Sequence, residues 1–362
     1  LSADLSRHTP KATDIPPETN TEYHTTNRNK KYIKKSPAEE IQTIATNSQS
    51  PVSIDPIGQI ETDHSTGKVY WRNASRRILR TDITGTGEVE EVFDLGGSAS
   101  GFGMALDPAA SKIYWIDAAT SKIYVGNMDG TGAAVLYTTT ASASSMRHLA
   151  IDTLNSKLYY TDNTPGQEGV YMLLADGSSS AETAIFVDAN NVAPFGIAID
   201  PEVGLIYWSE QGELSTGDIR VVGLEGQNPG TLVANCSTTP LGLSLDPILQ
   251  KLYWADNDDD ELRRVSTNGE DNEVILDYAN SGITQPNGVF IDYISGYLYF
   301  NDDVAHPNGK IQRTKAPEFP IYDNANVTHA IPQSTLQYSW IKDSAETTRA
   351  EFQGYATGSD IQ

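Results

Sequence analysis

The sequence predicts an all-β chain: a six-bladed β-propeller of four-stranded blades with extended N- and C-terminal arms. Three observations carry this. An Asp stands seven residues before a Tyr six times, at Asp63 and Tyr70, Asp107 and Tyr114, Asp152 and Tyr159, Asp200 and Tyr207, Asp246 and Tyr253, and Asp292 and Tyr299. The tyrosines follow one another at 44, 45, 48, 46 and 46 residues, the length of one blade. Every unit also repeats one order of strand-like runs and turn signals.

Within a unit, an apolar run such as FGMALD, HLAID, FGIAID, LGLSLD or NGVFID ends at the Asp. A short turn follows (PAAS, TLNS, PEVG, PILQ), where Pro and Gly supply preset or positive φ. An aromatic run comes next (KIYWID, KLYYTD, LIYWSE, KLYWAD, YLYFND), and then a third run such as KIYVGNM, GVYMLL or ELRRVST. A hairpin dipeptide, Asp129-Gly130, Asp176-Gly177 or Asn268-Gly269, turns the chain into a fourth, more polar run. Alternate residues of a strand face opposite sides of its sheet, and both sides of a radial blade pack on neighbours. The doubled aromatic residue is therefore expected to serve two interfaces. Small residues, as in GFG at Gly101–Gly103, suit the start of an inner strand, where strands crowd the axis.

Over about residues 41–320 the pattern resembles the YWTD, or low-density-lipoprotein-receptor class B, propellers; KLYWAD and PNGVFIDYISGYLYFND carry the likeness. The resemblance implies six blades and a structural role for the acidic residue after the aromatic pair. That slot holds Asp117, Asp162, Asp256 and Asp302, whose carboxylates can accept backbone N–H groups and tie turns together. Asn73 and Glu210 fill it in the other two units, where different hydrogen bonding is expected. Such propellers are usually followed by cysteine-rich modules, and with a single cysteine in the chain a receptor role does not carry over.

Three regions are expected: a polar and basic N-terminal arm over 1–40, the propeller over 41–320, and a tail over 321–362. The sixth unit has three clear strands. Ile41–Asn47 alternates apolar and polar residues and is expected to supply the outer strand of that blade, closing the ring; residues 321–329 are the competing candidate. The arms are too polar to order themselves and are expected to bind in trans, to a protein partner or a second copy, through Lys30, Lys31, Lys34, Lys35 and Trp340.

The chain of 362 residues carries a net charge of −23. Residues 1–40 hold seven Lys/Arg and six Asp/Glu, so the rest hold 18 basic and 42 acidic residues, a difference of −24. That field repels phosphate backbones and excludes nucleic acid as a natural partner, while favouring cations and basic protein surfaces. No apolar run reaches the roughly 18 residues of a membrane span. Cys236 stands alone, so stability rests on packing rather than on internal disulfides. The sequence begins at Leu1 without a Met or a leader, as expected of a processed or partial chain, and an extracellular location is expected. Of three sequons, Asn235 and Asn326 are expected to accept glycans, whereas Asn73 lies in the packed slot.

Candidate chemistry is sparse. The run DNDDDE places Asp256, Asp258, Asp259 and Asp260 in a hairpin turn, where they form either a Ca²⁺ site, Ca²⁺ being the one cofactor considered, or a solvated acidic turn. The six histidines show no zinc spacing, and Cys236 has no identifiable base. Arg147 and His148 open an inner strand near the channel mouth. Two functions follow. One is a non-enzymatic extracellular module for protein binding or assembly. The other is a Ca²⁺-dependent propeller hydrolase, lactonase or lyase, which needs oxygen donors where inner strands begin; Asn287 is such a donor, but Phe102, Arg147, Phe195 and Leu241 are not.

Overall fold

In a computed structural model of the chain the described residues are 41–50, 53–96, 101–139, 145–188, 193–211, 216–237, 239–302, 309–317, 338–342 and 348–352. They form six four-stranded antiparallel sheets, five of them running inner to outer in chain order, and a separate two-stranded sheet. The inner strands are Pro56–Asp63, Met104–Asp107, Met146–Asp152, Ala193–Asp200, Pro240–Asp246 and Val289–Asp292, opening blades 1 to 6. We call the face where these strands begin upper and the face where they end lower.

The aromatic pair explains how the blades lock. Apolar residues fall into six clusters, one at each blade interface, including that between blades 6 and 1. In blade 1, Tyr70 joins Trp115 and Met104 of blade 2, while Trp71 joins Tyr299 and Ile311 of blade 6. The same division recurs: Tyr114 faces blade 3 and Trp115 blade 1, Tyr159 faces blade 4 and Tyr160 blade 2. Tyr207, Tyr253 and Tyr299 likewise pack onward, and Trp208, Trp254 and Phe300 pack backward. Consecutive residues of a strand must point to opposite faces, so the doublet places one large ring at each of a blade's two interfaces.

The repeating Asp at the end of each inner strand caps the lower turn. Asp152 Oδ1 accepts from the N–H groups of Leu154 and Asn155, and Asp246 Oδ1 from those of Ile248 and Leu249. Asp63, Asp107, Asp200 and Asp292 do the same for Ser65, Ala110, Val203 and Ile294. At the upper end the inner strands converge, and glycine is a steric requirement there. A Cβ on Gly196 would fall 2.1 Å from the Leu241 carbonyl oxygen, and one on Gly288 2.0 Å from that of Gly58.

Blade 6 takes its outer strand from the other end of the described chain. Gln42–Ala45 pairs antiparallel with Lys310–Lys315, Gln42 opposite Arg313 and Thr43 opposite Gln312. Residues 321–329 lie outside the described residues. Within the C-terminal tail, Tyr338–Lys342 and Thr348–Phe352 form an antiparallel pair, a local ladder in a segment whose composition predicts none. No helix of the described residues is long and apolar enough to cross a membrane.

Candidate functional site

Each inner strand turns a free edge towards the axis, and its N–H groups need partners. Side chains from the preceding blade supply several. Gln59 Oε1 accepts from Met104 N–H and Leu149 N–H, both at 2.9 Å, and its Nε2 donates to the Leu149 carbonyl at 2.6 Å, so one amide joins blades 1, 2 and 3. Ser244 Oγ accepts from Ile291 N–H at 3.0 Å, and Glu61 Oε2 from Leu106 N–H at 2.8 Å.

The upper mouth is filled by side chains. Gly103, Gly196, Gly242 and Gly288 stand four residues before the capping Asp in four blades, but blades 1 and 3 have Gln59 and His148 there. His148 is fully buried, its ring 4.9 Å from that of Phe195, and neither ring nitrogen has a hydrogen bond. Burial, then the charges of Arg147 and Arg72, push its pKa down to about 3 and keep the ring neutral. Arg72 is buried beside it and donates to the Ile116 carbonyl at 2.7 Å; burial lowers its pKa to about 10. Above them the Arg147 guanidinium lies 5.7 Å from the Phe102 ring centre and 5.6 Å from that of Phe195. The two rings are 5.5 Å apart although they come from blades 2 and 4. Its Nε is unpartnered, leaving a half-buried cation between two half-buried rings at the centre of the upper face.

Below the Gln59 bridge the channel opens into a cavity of about 370 Å³. Leu149, Ile151, Ile199, Leu243, Leu245 and Ile291 supply much of its wall. Glu61 projects a carboxyl group into it, and burial pushes the pKa of that group up to about 8 against the lowering effect of the Leu106 N–H. Neither Glu61 nor Gln59 belongs to a motif that the sequence marks as a candidate site. Their signal lies in the repeat itself: two residues before the capping Asp, the other blades have Ala105, Ala150, Ala198, Ser244 and Phe290, so blade 1 carries a carboxylate in a column of uncharged residues.

The residues after the aromatic pair sit where the resemblance implies, with unequal partners. Asp162 accepts from Ser145 N–H (3.2 Å), Thr164 N–H (2.8 Å) and the Thr164 hydroxyl (2.5 Å). Asp302 accepts from Thr284 N–H at 3.0 Å and its hydroxyl at 2.8 Å, and Asp117 from the Thr120 hydroxyl at 2.6 Å. Glu210 accepts from Trp208 Nε1 (2.7 Å) and Arg220 (3.2 Å), and Asn73 donates to the Ser53 carbonyl while accepting from Arg77 N–H. Asp256 is buried without a well-formed hydrogen bond, and desolvation with the charge of Asp259 raises its pKa to about 7.

The structure does not gather Asp256, Asp258, Asp259 and Asp260 into a cation site: among the described residues no three His, Cys, Asp or Glu side chains converge. Asp258 instead accepts from the Thr239 hydroxyl, and Asp260 from Gln285 N–H. Asn287 Oδ1 is taken up by the Asn257 amide at 3.1 Å. Asn235 is exposed and Asn73 buried. Lys30, Lys31, Lys34, Lys35 and Asn326 lie outside the described residues, and Trp340 is placed only as a position on the Tyr338–Lys342 strand.

No protein-family model matches the chain. A stretch of 110 residues, 30% of the chain, is 30% identical to low-density lipoprotein receptor-related protein 5 of Mus musculus and spans 7% of that protein. Over 174 residues, 46% of the chain, it is 26% identical to Protein cueball of Drosophila yakuba, spanning 26% of that protein. The chain thus covers about a quarter or less of the length of these curated relatives. Among solved structures, the nidogen/laminin complex superposes with a TM-score of 0.55 at 19% identity, over 65% of this chain and 84% of that one. The gluconolactonase XC5397 from Xanthomonas campestris does so with a TM-score of 0.58 at 14% identity, over 83% and 99%. At such identities the structures speak for the fold alone. The six-fold Asp–Tyr repeat, the aromatic doublet divided between blade interfaces and the sequence relatives together identify the chain as a six-bladed β-propeller of the YWTD, or low-density-lipoprotein-receptor class B, type.

Proposed function

We propose that the chain is a non-enzymatic protein-binding module that works outside the cell and recognises its partner on the upper face. The observation that carries this is the Arg147 guanidinium held between Phe102 and Phe195 at the channel mouth. Stacking orients the guanidinium without using its N–H groups, and a protein segment that sets a carboxylate against Arg147 and an apolar side chain on the rings satisfies both. The surrounding body is acidic, so basic residues flanking that carboxylate in the partner add steering. The sequence relationship to low-density lipoprotein receptor-related protein 5 and the shared fold with the nidogen/laminin structure support a protein partner. The exposed sequon at Asn235 supports the extracellular setting. The arms serve in this reading as additional connectors.

The lactonase, hydrolase or lyase reading draws on fold likeness to XC5397. It needs oxygen donors where Arg147 and two phenyl rings stand, and the Asn287 amide oxygen is already engaged. The test is a displayed-peptide selection on the intact protein, followed by affinity measurement on Arg147→Ala and Phe195→Ala. Selected peptides should carry an acidic residue next to an apolar one and lose at least tenfold in affinity for either variant. Peptides that bind both variants as tightly as the wild type would place recognition elsewhere.

A further inference from the structure

The lower cavity is separate from the upper face, and its distinguishing residue is Glu61. Its structural task is to accept the Leu106 N–H at a free strand edge. Gln59 performs the same task for Met104 on that strand and for Leu149 on the next inner strand, and Ser244 for Ile291, all with neutral groups. A carboxyl group adds nothing to that cap, and its desolvation opposes folding. What it adds is a second oxygen, Oε1, which carries no hydrogen bond among the described residues. Neighbouring strands leave room for an occupant there, with Ala150, Ala198 and Ser244 lining the cavity at the positions that correspond to Glu61.

The volume, about 370 Å³, falls within the roughly 300–1,000 Å³ typical of small-molecule sites. The wall is mainly aliphatic. The titratable side chains among the described lining residues are Glu61, Asp200, Glu202 and Tyr293, all acids, with Asp63 and Asp107 at the adjoining strand ends and Tyr70 opposite Glu61 in register. No Lys, Arg or His is among the lining residues described. The opening is largely apolar, with Leu154 50% exposed and Ile248 37%, beside Pro108, Pro201 and Pro247, and the exposed Glu202 stands between Pro201 and the 56% exposed Val203. Anionic amphiphiles are disfavoured by an acid-only lining in a chain of charge −23, while a hydrocarbon with a cationic head matches wall, rim and field together.

We propose that the lower half of the channel is a binding site for a small hydrophobic amine, whose hydrocarbon fills the aliphatic cavity and whose ammonium group pairs with Glu61. At neutral pH the empty site holds Glu61 as the protonated acid. When an ammonium enters, the carboxyl O–H bond breaks, the proton passes to solvent, and the resulting carboxylate pairs with the ammonium. Binding is therefore coupled to release of close to one proton. With the Glu61 pKa at about 8, affinity rises with pH, by roughly fiftyfold between pH 6 and pH 8, because the competing proton is removed.

The experiment is calorimetric titration of the intact protein with n-octylamine, and with 1-octanol and octanoate as controls, at pH 7 in two buffers of different ionisation enthalpy. The expected result is one octylamine per chain, release of close to one proton, and no octanoate binding. Glu61→Gln keeps the acceptor for Leu106 N–H; it should bind octylamine at least tenfold more weakly, without proton release, and leave 1-octanol unaffected. Ala150→Leu, which fills the cavity, should abolish binding of both. The wild-type arm needs no variant: absence of octylamine binding, octylamine binding without proton release, or equal binding of octylamine and octanoate overturns the proposal. So does Glu61→Gln binding octylamine as tightly as the wild type.

Discussion

Asp162 and Asp256 occupy one slot of the repeat in different blades; burial raises the pKa of both, and they differ in the hydrogen bonds they accept. Asp162 satisfies two backbone N–H groups and a hydroxyl, joining the start of blade 3 to the turn after its second strand. Asp162→Ala orphans those donors and should cost about 2–4 kcal/mol in urea unfolding. Asp256 has the Ser237 hydroxyl and the Asp259 N–H nearby but no well-formed hydrogen bond, and its raised pKa sets the sign of a pH effect. Between about pH 4 and pH 7 the native state binds a proton that the unfolded chain has lost, so this residue's contribution falls as pH rises through that window and is constant above it. Asp256→Asn should be more stable than wild type at pH 8 and lose the advantage near pH 4; a variant less stable at both values would show that the ionised carboxylate has a partner. The slot was legible in the sequence because its spacing is fixed. Its chemistry was not, because partners such as Ser145 and Thr164 come from turns that differ between blades. Glu61 escaped for a related reason: FGMALD, HLAID and LGLSLD define an apolar column, and the departure in blade 1 gains meaning only when six strands surround one axis.

At the scale of elements, the strand Gln42–Ala45 bears most on stability, since it covers the edge of blade 6 and seals the joint with blade 1. Ile44, 1% exposed, packs in the cluster that holds Trp71 and Tyr299, and Gln42 accepts from Arg313 Nε at 2.9 Å. Deleting residues 41–47 should remove several kcal/mol and leave an open edge prone to self-pairing, visible as a lower melting temperature and as aggregates in light scattering. Ile44→Ala isolates the packing part and should cost about 2–4 kcal/mol. An unchanged melting temperature for either variant would mean that blade 6 is stable without its outer strand. The strands within each unit, four in the first five and three in the sixth, could be read from the sequence because hairpins are local, and turn dipeptides such as Asp129-Gly130 mark them. The missing fourth strand of the sixth unit pointed to Ile41–Asn47, but the register, Gln42 opposite Arg313, spans nearly the whole described chain and has no local signal.

For the whole molecule, charge and partner choice meet in the segment least like the rest. Residues 1–40 are near neutral while the remainder carries −24, and Lys30, Lys31, Lys34 and Lys35 concentrate four cations within six residues. An exposed ion pair contributes only about 0–1 kcal/mol and is screened over roughly 8–10 Å at ordinary salt, so such an arm must multiply its contacts and add an apolar anchor, for which Tyr32 and Ile33 stand inside the basic run. The expected outcome is an association that weakens steeply with ionic strength. Removing residues 1–40 should leave the melting temperature within a degree or two while abolishing self-association, or binding of a protein partner, at low salt. Restoring the arm with Lys30, Lys31, Lys34 and Lys35 changed to Gln should restore little of it, since the field of the acidic body acts on the charges rather than on chain length. Equal masses by light scattering for full-length and truncated protein at low salt, with equal affinity for a peptide selected on the upper face, would remove the arm from recognition and leave the propeller to bind through Arg147 and its two rings alone.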